Sequence, residues 1–141
     1  MGDWQTVAGH RIRATEDSVE VVPNGHMDVT HIRWLFDDIL LPIIAKHGLA
    51  FVLLDARQGT PADAESRRLI SSWVREHPGQ TVFAVFGASR TASAVGTLLL
   101  NAIRLVSGRQ LQLKMFDERS DAEAWLQERR EHHRKGLPFA R

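Results

Sequence analysis

The sequence predicts an α/β domain with a mixed, mostly parallel five-stranded sheet and about four helices. Three observations carry that reading. A short apolar run, a polar turn and an amphipathic helix follow one another three times. The runs are Phe51-Val52-Leu53-Leu54-Asp55, Thr81-Val82-Phe83-Ala84-Val85-Phe86 and Leu111-Gln112-Leu113-Lys114-Met115-Phe116. Ahead of them, His10-Arg11-Ile12-Arg13-Ala14 and Ser18-Val19-Glu20-Val21-Val22 flank the turn-like Thr15-Glu16-Asp17, which is the pattern of a β-hairpin. Finally, 141 residues without a repeat or linker is the length of one domain with a sizeable core.

Each element has its own local signals. Residues 1–9 read as an arm or an extra strand, and Pro23-Asn24-Gly25 stops the second hairpin strand. A helix is predicted over 28–47, with Asp28 as N-cap and Gly48 as its stop. Ile32, Leu35, Phe36, Ile39, Leu40, Ile43 and Ile44 make its buried stripe. Pro42 lies inside it, where its ring meets the carbonyl of Asp38, so a kink is expected. The second helix is predicted to start with Thr60 as N-cap and Pro61 in the first position, to bury Leu69, Ile70, Trp73 and Val74, and to stop at Pro78-Gly79. A third is predicted over about 90–106. The fourth opens on Ser120-Asp121-Ala122-Glu123, which reads as a capping box, and anchors through Trp125 and Leu126. The main domain is thus 10–134, with a tail at 135–141. Of the four Trp residues, Trp73 and Trp125 read as core, Trp34 is undecided, and Trp4 is free to pack on a partner.

Composition removes several function classes. With no Cys, disulfide scaffolds, thiol catalysis and Cys-based zinc sites are excluded. A net charge of +1 gives no electrostatic case for nucleic acid or an anionic membrane. No apolar run is long enough to span a bilayer, and Met1-Gly2-Asp3-Trp4 has no signal-peptide character, so a soluble cytoplasmic protein is expected. The seven His residues show no metal-binding helical spacing, and neither a dinucleotide nor a Walker-type loop occurs, so no cofactor is expected.

The motifs also resemble those of the STAS superfamily, in its SpoIIAA-like (STAS/SEC14-like) branch. The matching features are Gly25 before helix one, Leu53-Leu54-Asp55, Phe83-Ala84-Val85-Phe86, and Met115-Phe116-Asp117-Glu118 followed by Glu123-Ala124-Trp125-Leu126. They cover roughly residues 10–130. The resemblance implies a noncatalytic regulatory module that binds a protein partner through the loop and start of helix two. Family members that antagonise anti-sigma factors are switched by phosphorylation of a Ser in an Asp-Ser-Ser-Gly motif. Counting from Asp55 places Asp63-Ala64-Glu65-Ser66 there. Asp63 matches, Glu65 takes the place of the switching Ser, and Ser66 takes that of the Gly; a one-residue gap would put Ser66 at the switch. A single carboxylate at Glu65 has less charge and fewer acceptor oxygens than a phosphate. The plainer reading of both positions is that they are solvated first-turn residues.

Gly87-Ala88-Ser89-Arg90-Thr91 follows a strand and opens a helix. It is close to a nucleophile elbow, but Thr91 replaces the final Gly, and only His132 and His133 follow as bases. Ser89 and Arg90 also suit anion binding at a helix start, or Ser89 is a plain N-cap. Asp55 and Arg57 end a neighbouring strand and could share a polar pocket with them, or cap a loop. The candidate partner or ligand surface is therefore Asp55, Arg57, Asp63, Glu65, Ser66, Ser89 and Arg90. The leading function is the interaction module, with a homodimer possible. Its rivals are a carrier or sensor of a small apolar or anionic ligand beside helix one, and a serine hydrolase at Ser89.

Overall fold

The computed structural model describes residues 2–60, 63–77, 81–88 and 111–136. The third predicted helix, Ser89, Arg90, Pro61, the Pro78-Gly79 stop and the tail beyond 136 lie outside them. Six strands form one sheet: β1 (Gln5–Val7), β2 (His10–Ala14), β3 (Ser18–Val22), β4 (Ala50–Asp55), β5 (Thr81–Phe86) and β6 (Leu111–Phe116). They lie side by side in chain order. β1, β2 and β3 are antiparallel neighbours, and β3 through β6 are parallel.

The sheet thus has six strands where the sequence predicts five, because part of the N-terminal arm pairs with β2. Ala8 and Gly9 both take positive φ, 51° and 86°, and close the two-residue hairpin whose twist suits flanking strands. Ala-Gly is a weak hairpin signal, since Ala rarely adopts this conformation.

Among the described residues there are three helices. Helix α1 covers residues 29–47 in three segments: α-helical Val29–Trp34, π-helical Leu35–Leu40 and α-helical Leu41–His47. Asp28 caps it by accepting from the His31 amide at 3.0 Å, and Gly48 ends it. The expected disturbance at Pro42 takes the form of the π segment. The Leu41 amide reaches back to the Phe36 carbonyl, so the wider turn falls just before the ring and makes room for it. The predicted apolar stripe survives this change of pitch, and all seven of its residues join one core cluster.

Helix α2 (Ala64–Glu76) begins later than predicted. Its N-cap is Asp63, whose carboxylate accepts from the Ser66 amide at 2.8 Å. Thr60 instead sends its amide to the Gly25 carbonyl. Asp is the better cap of the two, and its negative charge also favours the helix N-terminus. Helix α3 (Arg119–Arg134) has Glu118 at its N-cap position, without a side-chain bond. The expected capping box is absent. Ser120 lies inside the helix, and Glu123 pairs with Arg119 one turn back.

The layers follow from chain direction. β3, β4 and β5 advance in order, so right-handed crossovers put α1 and α2 on the same face. That face holds Ile12, Val19, Val21, Val52 and Phe83 under Ile32, Phe36, Leu40, Trp73 and Val74. α3 follows the last strand, is bound by no crossover, and covers the opposite face through Ala122 and Leu126 on Phe51, Leu53, Val82, Ala84 and Phe86. β4 and β5 are therefore buried on both sides. α3 packs over β4, β5 and β6. Beside it, the β2–β3 part of that face carries the polar side chains Arg11, Arg13, Ser18 and Glu20. No helix of the described residues is long and apolar enough to cross a membrane.

Candidate functional site at the strand ends

The C-terminal ends of parallel strands are where α/β sheets place ligands and partners. Here the β4 end carries Asp55, 5% exposed, directly beside Phe86 of β5 in the sheet register. Among the described residues, its carboxylate is held by Arg57 alone. Arg57 donates Nε to Oδ1 at 2.9 Å, Nη2 to Oδ2 at 2.7 Å, and its backbone amide to Oδ1 at 3.1 Å. The Arg57 side-chain bonds hold the Asp55 carboxyl below its ordinary pKa although burial opposes them, and Asp55 raises Arg57 in return. The Arg57 side chain is nevertheless 65% exposed. It is a fixed cation on an open rim, and its other Nη has no partner among the described residues.

Gly87 makes this arrangement possible. It takes φ +74° just past β5, and a Cβ there would stand 2.4 Å from Arg57 Cγ. The Arg57 stem crosses the space a side chain would need, and its guanidinium lies 5.5 Å from the Phe86 ring centre.

A second pair stands alongside. Glu20 of β3 accepts from Arg119 Nη1 and Nη2, both at 2.9 Å, and from Arg13 Nη2 at 3.2 Å. Glu20 first, with Glu123, raises the Arg119 pKa above its already high ordinary value. The Arg119 guanidinium lies 5.8 Å from the same Phe86 ring. Two carboxylates, Asp55 buried and Glu20 part-buried, thus each fix a guanidinium through a two-pronged bond, the geometry in which Arg loses least freedom.

Around these pairs the surface is concave. A cleft of about 600 Å³ lies between β2–β3 and α3, lined by Arg13, Glu20, Phe51, Leu53, Arg119 and Arg130 among others. A hollow of about 320 Å³ adjoins it, sharing Glu20 and Arg119, and adds Trp4, Arg11, Asp55 and Arg57. Trp4 does not stand free: Arg11 and Arg13 lie 4.4 and 4.7 Å from its ring centre. On the other face, the apolar side of α1 is spent on the core, and a hollow of about 230 Å³ lies between α1 and α2.

The other residues singled out in the sequence fall in different places. Asp63 and Glu65 are exposed at the start of α2, and Asp63 meets His26 Nε2 at 3.1 Å. Ser66 is fully buried, so it forms no part of the exposed surface. Ser89 and Arg90, and any geometry toward His132 and His133, lie outside the described residues. Glu20, Arg13, Arg119 and Trp4 are absent from the predicted site. A signal for Glu20 existed: the hairpin register sets it opposite Arg13 on a polar face. Arg119 had none, since it lies 99 residues from Glu20.

A histidine cluster ties the neighbouring loop. His10, 2% exposed, accepts the Asn24 amide at Nδ1, and its ring stands 5.3 Å from that of His31. His31 Nδ1 lies 3.0 Å from Asp28, and His26 pairs with Asp63, so the N-cap carboxylates of α1 and α2 both have an imidazole beside them. Burial first, then His31, lowers the His10 pKa from 6.5, while Asp28 opposes. The unfolded chain therefore takes up a proton here before the folded one does. Stability from His10 is complete above its ordinary value and falls as pH drops through it toward the lower folded value. The expected result is a lower urea midpoint at pH 5.5 than at 7.5, with a smaller loss in His10→Gln; equal losses in both proteins would refute it.

No family model matches the chain, and no curated protein sequence matches it. Among the described residues, no group of three His, Cys, Asp or Glu side chains is placed to hold a metal ion.

Proposed function

We propose that the chain is a noncatalytic STAS-like recognition module, whose partner is a protein that docks on the strand-end rim formed by loop 56–60 and the start of α2. The observation that supports this most is Arg57, anchored on the buried Asp55 and still mostly exposed. A side chain fixed before binding loses little rotamer entropy on contact, and Arg is prominent among the residues that dominate interface energies. The loop beneath it is tied down as well. The Gly25 amide donates to the Gln58 carbonyl at 2.7 Å, and Ala56 donates to Phe86 at 2.9 Å. Exposed Glu65 extends the same rim with a fixed negative charge, where family members carry a switchable Ser.

Affinity capture with wild-type, Arg57→Ala and Arg75→Ala baits tests this. Arg75 is exposed in the last turn of α2, away from the rim. The expected result is a stoichiometric partner retained by wild-type and Arg75→Ala and lost with Arg57→Ala. The same retention on all three baits would refute the proposed surface.

A further inference from the structure

We infer that the cleft between β2–β3 and α3 is a binding site for a small organic phosphate monoester, separate from the protein partner proposed above. The argument starts from the donors. Arg57 spends Nε and one Nη on Asp55. Its other Nη is left for an incoming group. Arg119 uses its three nitrogens on Glu20 and Glu123, yet each Nη has a second N–H. Both guanidiniums lie within 6 Å of the Phe86 ring centre, at 5.5 and 5.8 Å, so they converge on one region of the rim. Exposed Arg11 lines the same hollow.

Each of Arg57 and Arg119 already spends one fork on a carboxylate, Asp55 and Glu20 respectively. The N–H groups that remain, at the Nη end of Arg57, on the outer edges of Arg119 and on Arg11, are aimed from more than one direction. A tetrahedral phosphate, with three terminal oxygens, can accept from several such edges at once. Its two negative charges also offset the local crowding of Arg11, Arg13, Arg57 and Arg119, of which Asp55 and Glu20 neutralise part.

The body of the ligand is set by what adjoins the rim. The hollow with the arginine edges adjoins the larger cleft, and Glu20 and Arg119 line both. The floor of that cleft is Phe51 and Leu53, and its wall is α3, with Ala124, Gln127 and Arg130. Arg130 lies 4.7 Å from the Phe51 ring centre and bonds Asp17 at 3.2 Å, so its guanidinium already covers that ring and bounds the cleft at this end. A ring-bearing phosphate monoester fits this division between an apolar floor and a basic rim.

Calorimetric titration of the full chain with phenyl phosphate, beside inorganic phosphate, tests the site. The expected result is saturable one-to-one binding of phenyl phosphate, tighter than that of inorganic phosphate. Arg57→Lys keeps a cation for Asp55 but removes the spare edge, and it should weaken binding roughly tenfold or more. Arg11→Gln, at an exposed position, should weaken it with no more than the small change in thermal unfolding that loss of its contact with Trp4 brings. Absence of saturable binding, or equal affinity in wild-type and both variants, would overturn the inference. Neither outcome bears on partner capture by Arg57→Ala, so the two readings stand or fall apart.

Discussion

Trp73→Ala is expected to lower unfolding stability by about 3–5 kcal/mol, the usual cost of emptying a large aromatic site. Trp73 is 5% exposed and joins the two helices of the first face to the sheet. It stacks on Phe36 with ring centres 4.7 Å apart and on His77 at 4.5 Å, and its Nε1 donates to Asp37 at 3.2 Å. Phe36 in turn meets Phe83 of β5 edge-on at 6.3 Å. Removal of the indole leaves a hole that neither α1 nor α2 can close without leaving the sheet. The melting temperature should fall by roughly 10–20 °C for a chain of this size. Trp73→Phe keeps the stack and should cost about 1–2 kcal/mol. Urea unfolding of the three proteins is the measurement. A loss below that of Trp73→Phe in the alanine variant would show that the contact between helices is not what holds the first face together.

Gly87→Ala is expected to cost about 1–3 kcal/mol from its backbone conformation alone. A second effect comes from contact, because the new Cβ and Arg57 Cγ cannot share the space. Arg57 must swing off Phe86, and Asp55 then loses its two-pronged partner. The two contributions separate in a double-mutant cycle. In an Arg57→Ala background the steric part vanishes and only the backbone cost remains, so the two substitutions should couple measurably. Strictly additive free energies would mean that Gly87 acts on the turn and not on the arginine. The same variant should also weaken phenyl phosphate binding, as the rim edge is displaced.

The sequence made the periodic parts of this fold legible and the competitive parts illegible. β5 and β6 run over the residues that the apolar alternation predicts, and β4 begins one residue early, at Ala50. Helix one kept its cap, its stop and its whole stripe, because each rests on residues close in sequence. The start of α2 shifted because Thr60 and Asp63 both suit a cap, and only tertiary context, Gly25 bonding Thr60, decides between them. The capping box of the last helix lost to an ion pair with Arg119 for a similar reason. β1 stayed open between an arm and a strand because Ala8, in the turn that pairs it, accepts an unfavourable φ. At the site, Asp55 and Arg57 were visible as near neighbours, whereas the Glu20–Arg119 pair exists only once α3 folds back across the sheet.

The strand order has a consequence for how the chain assembles. Because every strand lies beside its predecessor, a chain emerging N-terminus first always finds its template already made. The β1–β3 meander needs only two tight turns and can form before any helix exists. Each later strand then adds to the growing edge after closing a loop one connection long, which keeps the entropic cost of each step small. None of the described strands is inserted between two others. α3 arrives after the sheet, and it alone creates the Glu20–Arg119 pair and the cleft beside it. A nascent chain that has completed its sheet therefore does not yet have the cleft.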